Sequence, residues 1–90
     1  MTTQEDIVKV CDGMQNLLIE KNRRYGDSAL HPINIFSKLD GNEQIKIRLD
    51  DKLSRIINGS YSKNDLADVT GYLILLMISE EWTDFEDLID

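Results

Sequence analysis

The chain contains one cysteine, Cys11, so neither an internal disulfide nor a cysteine-held zinc cluster is open to it. A lone thiol fits a reducing cytoplasm. Cys11 falls on the apolar face of a predicted helix, where a buried, inert thiol is expected. Proline is nearly absent, with Pro32 alone, and glycine is sparse, which excludes a collagen-like or linker-like chain. Long hydrophobic runs are missing as well. The longest, Tyr72–Ile78, is far short of the roughly 20 apolar residues a membrane-spanning helix needs, so no membrane partner is expected. Met1–Lys9 is polar and acidic rather than a basic start followed by an apolar run, and no secretory signal is expected. Basic residues are outnumbered 17 to 10 by acidic ones, leaving a net charge of −7. No broad cationic surface exists to track the phosphate backbone of duplex nucleic acid.

What is present divides unevenly. Glu80, Glu81, Asp84, Glu86, Asp87 and Asp90 gather six acids into the last twelve residues, and the remaining 78 residues hold 11 acids against 10 bases. The acidity is a C-terminal feature, and a small phosphorylated ligand held by a few local cations stays compatible with the rest. Ninety residues make one domain, 1–90. A chain of this size buries only about 60% of its unfolded surface, so a homo-oligomer is expected to supplement its core.

The apolar spacing predicts three helices. The first runs over about 3–24, opened by a Thr2–Glu5 capping pair, striped by Ile7, Cys11, Met14, Leu18 and Tyr25, and stopped at Gly26. The second covers about 42–58, with Asp40 and Glu43 at its start, Ile45, Leu49, Leu53 and Ile56 inward, and Gly59 beyond its end. The third covers about 63–79, headed by Ser62 and Asp65, and from Tyr72 to Ile78 it is apolar all round. Three short helices cannot surround such a segment. Ala67 and Gly71 leave room for another backbone, and the third helix is expected at the centre of an assembly. Residues 26–40 read as a packed loop with a short helical turn opened by Pro32 and anchored by Ile33, Ile35, Phe36 and Leu39. Thr83 and Glu86 repeat the capping pattern before a short acidic helix over about 84–89. Its apolar side, Trp82, Phe85, Leu88 and Ile89, is expected to dock on the body or a neighbouring subunit. The expected fold is all-α: a three-helix antiparallel protomer with a short acidic C-terminal helix, assembling into a helical-bundle oligomer.

Three polar constellations stand out. On the second helix, Arg48, Asp51, Lys52 and Arg55 share a face opposite the apolar stripe. As a solvated face, its Asp51–Arg55 pair contributes about a few tenths of a kcal/mol. On the third, Asp65, Asp68 and Tyr72 form a matching stripe, and Asp68 lies one turn before the apolar segment. A buried carboxylate needs a cation, a metal or several donors, and Lys52 or Arg55 are the nearest cations on offer. The third group is Lys21-Asn22-Arg23-Arg24-Tyr25-Gly26-Asp27-Ser28. Its basic residues suit the helix C-terminus, its glycine a tight turn, its tyrosine a stacking surface, and Asp27 and Ser28 present oxygens beyond it. His31, without a second histidine or cysteine, reads as an ordinary loop residue. Nucleophilic triads, phosphate-cradling glycine loops and zinc spacings are all missing.

These runs, with Arg48-Leu49-Asp50-Asp51-Lys52-Leu53-Ser54-Arg55-Ile56 and Asp65-Leu66-Ala67-Asp68-Val69-Thr70-Gly71-Tyr72, resemble small helical bacteriophage proteins. Those are grouped as nucleotide-modification-associated domains and are distantly similar to MazG-type all-α nucleoside triphosphate pyrophosphohydrolases. The resemblance spans roughly residues 5–79. It implies an all-α nucleotide-handling protein, and for a hydrolase it implies magnesium held by clustered carboxylates, here Asp51, Asp65 and Asp68. The second helix departs from the hydrolase pattern: Asp50 and Asp51 are adjacent and point about 100° apart. Its remaining face, Arg48, Lys52 and Arg55, suits phosphate recognition better than metal capture. The chain is also similar in size and helical content to phage anti-CBASS proteins, which sequester cyclic nucleotide signals.

The expected function is therefore binding of a small nucleotide-type phosphate ligand, with sequestration of a cyclic nucleotide or related immune signal in the cytoplasm of an infected bacterium, and without a cofactor. The expected ligand-binding residues are Arg23, Arg24, Tyr25, Asp27, Ser28, Arg48, Asp51, Lys52, Arg55, Asp68 and Tyr72. The alternatives are a magnesium-dependent pyrophosphohydrolase and an acidic protein-interaction module acting through the tail.

Overall fold

The computed structural model describes residues 1–34 and 37–89, and within them the chain is all-helical. Helix α1 spans Thr3–Tyr25, α2 Gly41–Ile57 and α3 Lys63–Ser79, followed by a single 3-10 turn at Glu86–Leu88. Ile35 and Phe36, expected as loop anchors, and Asp90 of the acidic tail lie outside the described residues.

Local side-chain chemistry sets each start. The Thr2 hydroxyl accepts the Glu5 N–H at 3.1 Å and the Glu5 carboxylate accepts the Thr2 N–H at 3.4 Å. At α3 the Ser62 hydroxyl accepts the Asp65 N–H at 3.2 Å, and the Asp65 carboxylate accepts the Ser62 N–H at 3.0 Å. At α2 the Asp40 carboxylate accepts the Glu43 N–H at 2.8 Å, which makes Gly41 the first helical residue, one before the expected start. These bonds satisfy backbone donors that a helix N-terminus leaves orphaned. α1 ends where Gly26 takes a φ of +63°, a conformation costly for any residue with a Cβ.

α3 runs antiparallel to both other helices. Along α1, Lys21 faces Asp68 and Leu18 faces Gly71. Along α2, Lys52 faces Asp68 while Arg55 faces Asp65. The buried apolar core is small: Ile45 is wholly buried and Leu49 nearly so. Ile56 is half-buried, whereas Leu53 at the edge of the stripe is exposed. Gly71 is buried because Leu18 of α1 occupies the place of a side chain there; a Cβ would lie 2.8 Å from Leu18 Cδ2. The gap expected to admit another backbone admits α1 of the same chain.

Three local expectations are corrected. Cys11 is exposed, as is every residue of α1 before Met14. The turn in the long loop precedes Pro32: residues 26–30 turn back so that the His31 N–H reaches the Asp27 carbonyl at 2.8 Å. Asn34, with φ +58°, breaks any helical path from the proline, and Ile33 and Leu39 are exposed rather than anchoring. The tail holds one 3-10 turn instead of an α-helix, with the Glu86 N–H bonded to the Asp84 carboxylate at 3.0 Å. Trp82, Phe85, Leu88 and Ile89 are all exposed. A helix this short needs packing to persist, and within one chain the tail has none.

Candidate functional site

The last turn of α1, the turn that follows it, and the facing sides of α2 and α3 enclose a cleft of about 380 Å³. The sequence folds this way locally for two reasons. Gly26 reverses the chain after Tyr25. Then the carbonyls of Ala29 and Leu30 pack against Gly41 so closely that a Cβ there would lie 2.6 Å from the Leu30 oxygen. The turn is thereby seated on the first residue of α2. Within it the Asn22 side-chain amide donates to Asp27 Oδ1 at 2.8 Å, and His31 Nε2 stands 3.5 Å from Asp27 Oδ2.

Of the expected site residues, Tyr25, Asp27, Ser28, Arg48, Asp68 and Tyr72 line this cleft. They come from three separate stretches of chain. Leu17, Leu18, Ala67, Gly71 and Leu75 supply an apolar wall. Arg48 and Ser28 also border a second depression of about 460 Å³, whose other lining residues include Asn34, Ser37 and Gln44. An apolar wall with a few convergent polar groups is the usual make-up of a small-ligand site.

Beside the cleft lies an ion cluster. Lys52 Nζ stands 3.1 Å from Asp68 Oδ2 and 3.5 Å from Asp65 Oδ1. Lys21 approaches Asp68 at 3.4 Å, and Arg55 approaches Asp65 at 3.2 Å. Asp65 is only 5% exposed, and its carboxylate also accepts the Ser62 N–H and hydroxyl. The Ser62 N–H does most to hold the Asp65 carboxyl below its ordinary pKa. Burial opposes the shift, and Arg55, the Ser62 hydroxyl and Lys52 add to it. The hydrogen bond to Asp68 raises the Lys52 pKa, against desolvation and the nearby Arg55 charge. Among the described residues no buried side-chain nitrogen or oxygen lacks a partner, so the cluster is satisfied. It ties α2 to α3 and, through Lys21, to α1.

The other expected residues stand apart. Arg23 Nη2 and Arg24 Nε pair with the Glu20 Oε1 atom at 2.6 and 2.9 Å on the exposed side of α1. Arg23 is the main cause of a lowered Glu20 pKa, and Glu20 in turn raises that of Arg23. Asp51 faces Arg55 at 3.6 Å and lines neither depression. Arg55 serves Asp65 and Asp51 rather than the cleft. Lys52 pairs with Asp68 and Asp65 and does not line the cleft. Arg48 differs from all of these: among the described residues it has no carboxylate within salt-bridge distance, and it lines the cleft.

Lys21 and Asn22 line the cleft although neither belongs to the expected set. The signal for them lies in the sequence: Leu18, Lys21, Asn22 and Tyr25 fall at steps of three and four, so whatever faces Tyr25 meets them too. As for metals, no three histidine, cysteine, aspartate or glutamate side chains cluster closely enough to share an ion among the described residues. Asp65 and Asp68 are matched to the protein's own cations. That donor set does not fit magnesium as it stands, because the ion would displace Lys52. No described helix is long and apolar enough to cross a membrane. The chain matches no protein-family profile, no curated protein and no solved structure.

Proposed function

We propose that the chain binds a small phosphorylated, nucleotide-type ligand in this cleft and holds it intact. On this reading it sequesters a cyclic nucleotide or related immune signal, blocking antiphage defence in the cytoplasm of an infected bacterium. One observation carries the reading: the guanidinium of Arg48, without a salt bridge among the described residues, shares an apolar-walled cleft with Tyr25, Tyr72 and the Asp27–Ser28 turn. Arg48 contacts the phosphate, Tyr25 stacks on a base, and Ser28 with Asp27 hydrogen-bonds the sugar or base edge. Asp68 presents an acceptor to the cleft while Lys52, paired with it, holds it in place. A homo-oligomer completes the picture.

Magnesium-dependent pyrophosphohydrolysis through Asp51, Asp65 and Asp68 is the runner-up. Binding is favoured over it because those carboxylates are engaged by Lys21, Lys52 and Arg55. A third reading, an acidic interaction module, leaves the cleft without a role.

The test is a thermal-shift screen against linear and cyclic nucleotides, followed by chromatography of the ligand after incubation with magnesium. A ligand at 100 times its Kd stabilises the fold by about 2.7 kcal/mol, readily seen as a raised melting temperature. Recovery of that ligand intact after heat denaturation is the expected result. Pyrophosphate release selects the hydrolase instead, and a flat screen overturns both nucleotide readings.

A further inference from the structure

We infer that the N-terminal half of α1, together with the C-terminal end of α3, is the surface on which a second copy of this chain docks. The inference names the surface behind the homo-oligomer proposed above and does not depend on what the cleft binds.

A folded monomer of 10.4 kDa is expected to expose about 5400 Å². This chain exposes 7354 Å², an excess of about 2000 Å². Its radius of gyration, 14.8 Å, exceeds the roughly 12 Å expected of a compact 90-residue domain. Obligate homodimers bury roughly 1000–2500 Å² per partner, so the excess is what an obligate interface removes.

Helix register places part of this excess on α1. α1 and α3 are antiparallel with Leu18 level with Gly71. From that level α1 continues back to Thr3 for about 22 Å, whereas α3 continues to Ser79 for only about 12 Å. The first two turns of α1 therefore overhang α3 by about 10 Å, out of reach of that helix. Ile7 and Cys11 continue the stripe that Met14 and Leu18 begin, yet Ile7 is 56% exposed and Val10 65%. At the same end of the bundle, Met77 and Ile78 of α3 are exposed also. Cys11 is level with Ile78 by this register. An apolar stripe that is half used inside the chain and bare beyond it has the pattern of a seam meant for another helix.

A second copy is the occupant because the surface offers what another α1 or α3 offers: aliphatic side chains at helical spacing and no exposed cation except Lys9 to recognise an acidic or nucleic partner. The test uses the full chain without nucleotide, so its outcome is separate from that of the ligand screen. Sedimentation or light scattering at micromolar concentration should give at least twice the monomer mass. The single thiol then reports on the surface itself. Cys11 should react with a thiol-specific reagent at least tenfold more slowly in the assembled protein than after dilution. Ile7→Glu and Val10→Glu should lower the mass to that of one chain, while Asn16→Glu on the outer face of α1 should not. Monomer mass at every concentration overturns the inference. So does an assembled protein whose Cys11 reacts as fast as a free thiol, because assembly would then use another face, and this readout stands even where a glutamate variant fails to fold.

Discussion

Replacing Arg48 by methionine separates recognition from stability in a single experiment. Arg48 is exposed on α2 and has no salt-bridge partner among the described residues, so the folded chain loses no ion pair when it is removed. Methionine keeps the length and helix propensity of the arginine stem, and the unliganded melting temperature should stay within about 2 °C, as surface substitutions usually change stability by under 0.5 kcal/mol. Binding should behave otherwise. A hydrogen bond to a charged group contributes about 1.5–3 kcal/mol, and the lower end applies in a cleft open to water. A loss of about 1.5 kcal/mol weakens the ligand roughly tenfold. The assay is calorimetric titration of Arg48→Met and the native chain with the best ligand from the thermal-shift screen, alongside unliganded melting. Lys52→Met is the counterpart. Its ammonium joins Asp68 and Asp65 between α2 and α3, so it should lower the melting temperature even without ligand. An Arg48→Met chain that binds as tightly as the native one refutes the placement of the phosphate. A Lys52→Met chain of unchanged stability refutes the structural role of the cluster.

Other outcomes follow from the same geometry. The Asp65 carboxyl titrates below its ordinary value of 3.8 in the fold, so its contribution is complete above that value and is lost as pH falls through the lower one. Melting temperature should drop on acidification into that range, and Asp65→Asn should be less stable at neutral pH with a shallower acid dependence. Gly13 lies mid-helix in α1, and a Cβ placed there would meet nothing within 4 Å, so Gly13→Ala should stabilise by about 0.5–1 kcal/mol, raising the melting temperature by about 2–8 °C at fixed protein concentration. Gly41→Ala should do the reverse. Its Cβ would meet two backbone carbonyls, pushing the 26–30 turn off α2, so ligand affinity and melting temperature should fall together.

Much of the fold is legible in the sequence because its signals are local. Capping pairs at Thr2–Glu5, Asp40–Glu43 and Ser62–Asp65 act within four residues, and all three mark helix starts in the structure. The stripe through Ile45 and Leu49 points inward for the same reason: helical spacing alone puts both residues on one face. The tail is less legible. Its capping pattern is present, but a one-turn helix is decided by packing, and the chain provides none at Trp82 or Leu88. The exposure of Cys11 is equally hidden, because an apolar stripe says which face seeks cover, not whether the chain is long enough elsewhere to supply it.

The same division governs the candidate site. The residue types and the helices that carry them are settled by sequence: a tyrosine-glycine-aspartate turn, a cationic face on the second helix, and an acidic one on the third. Which cation meets which carboxylate is not, because Arg48, Lys52 and Arg55 share one helical face and differ only in the neighbours that tertiary packing brings to them. The antiparallel register of α2 on α3 brings Lys52 to Asp68 and Arg55 to Asp65, and leaves Arg48 facing the turn after α1. A charge pattern along a chain names possible partners, and only the meeting of separate helices chooses among them.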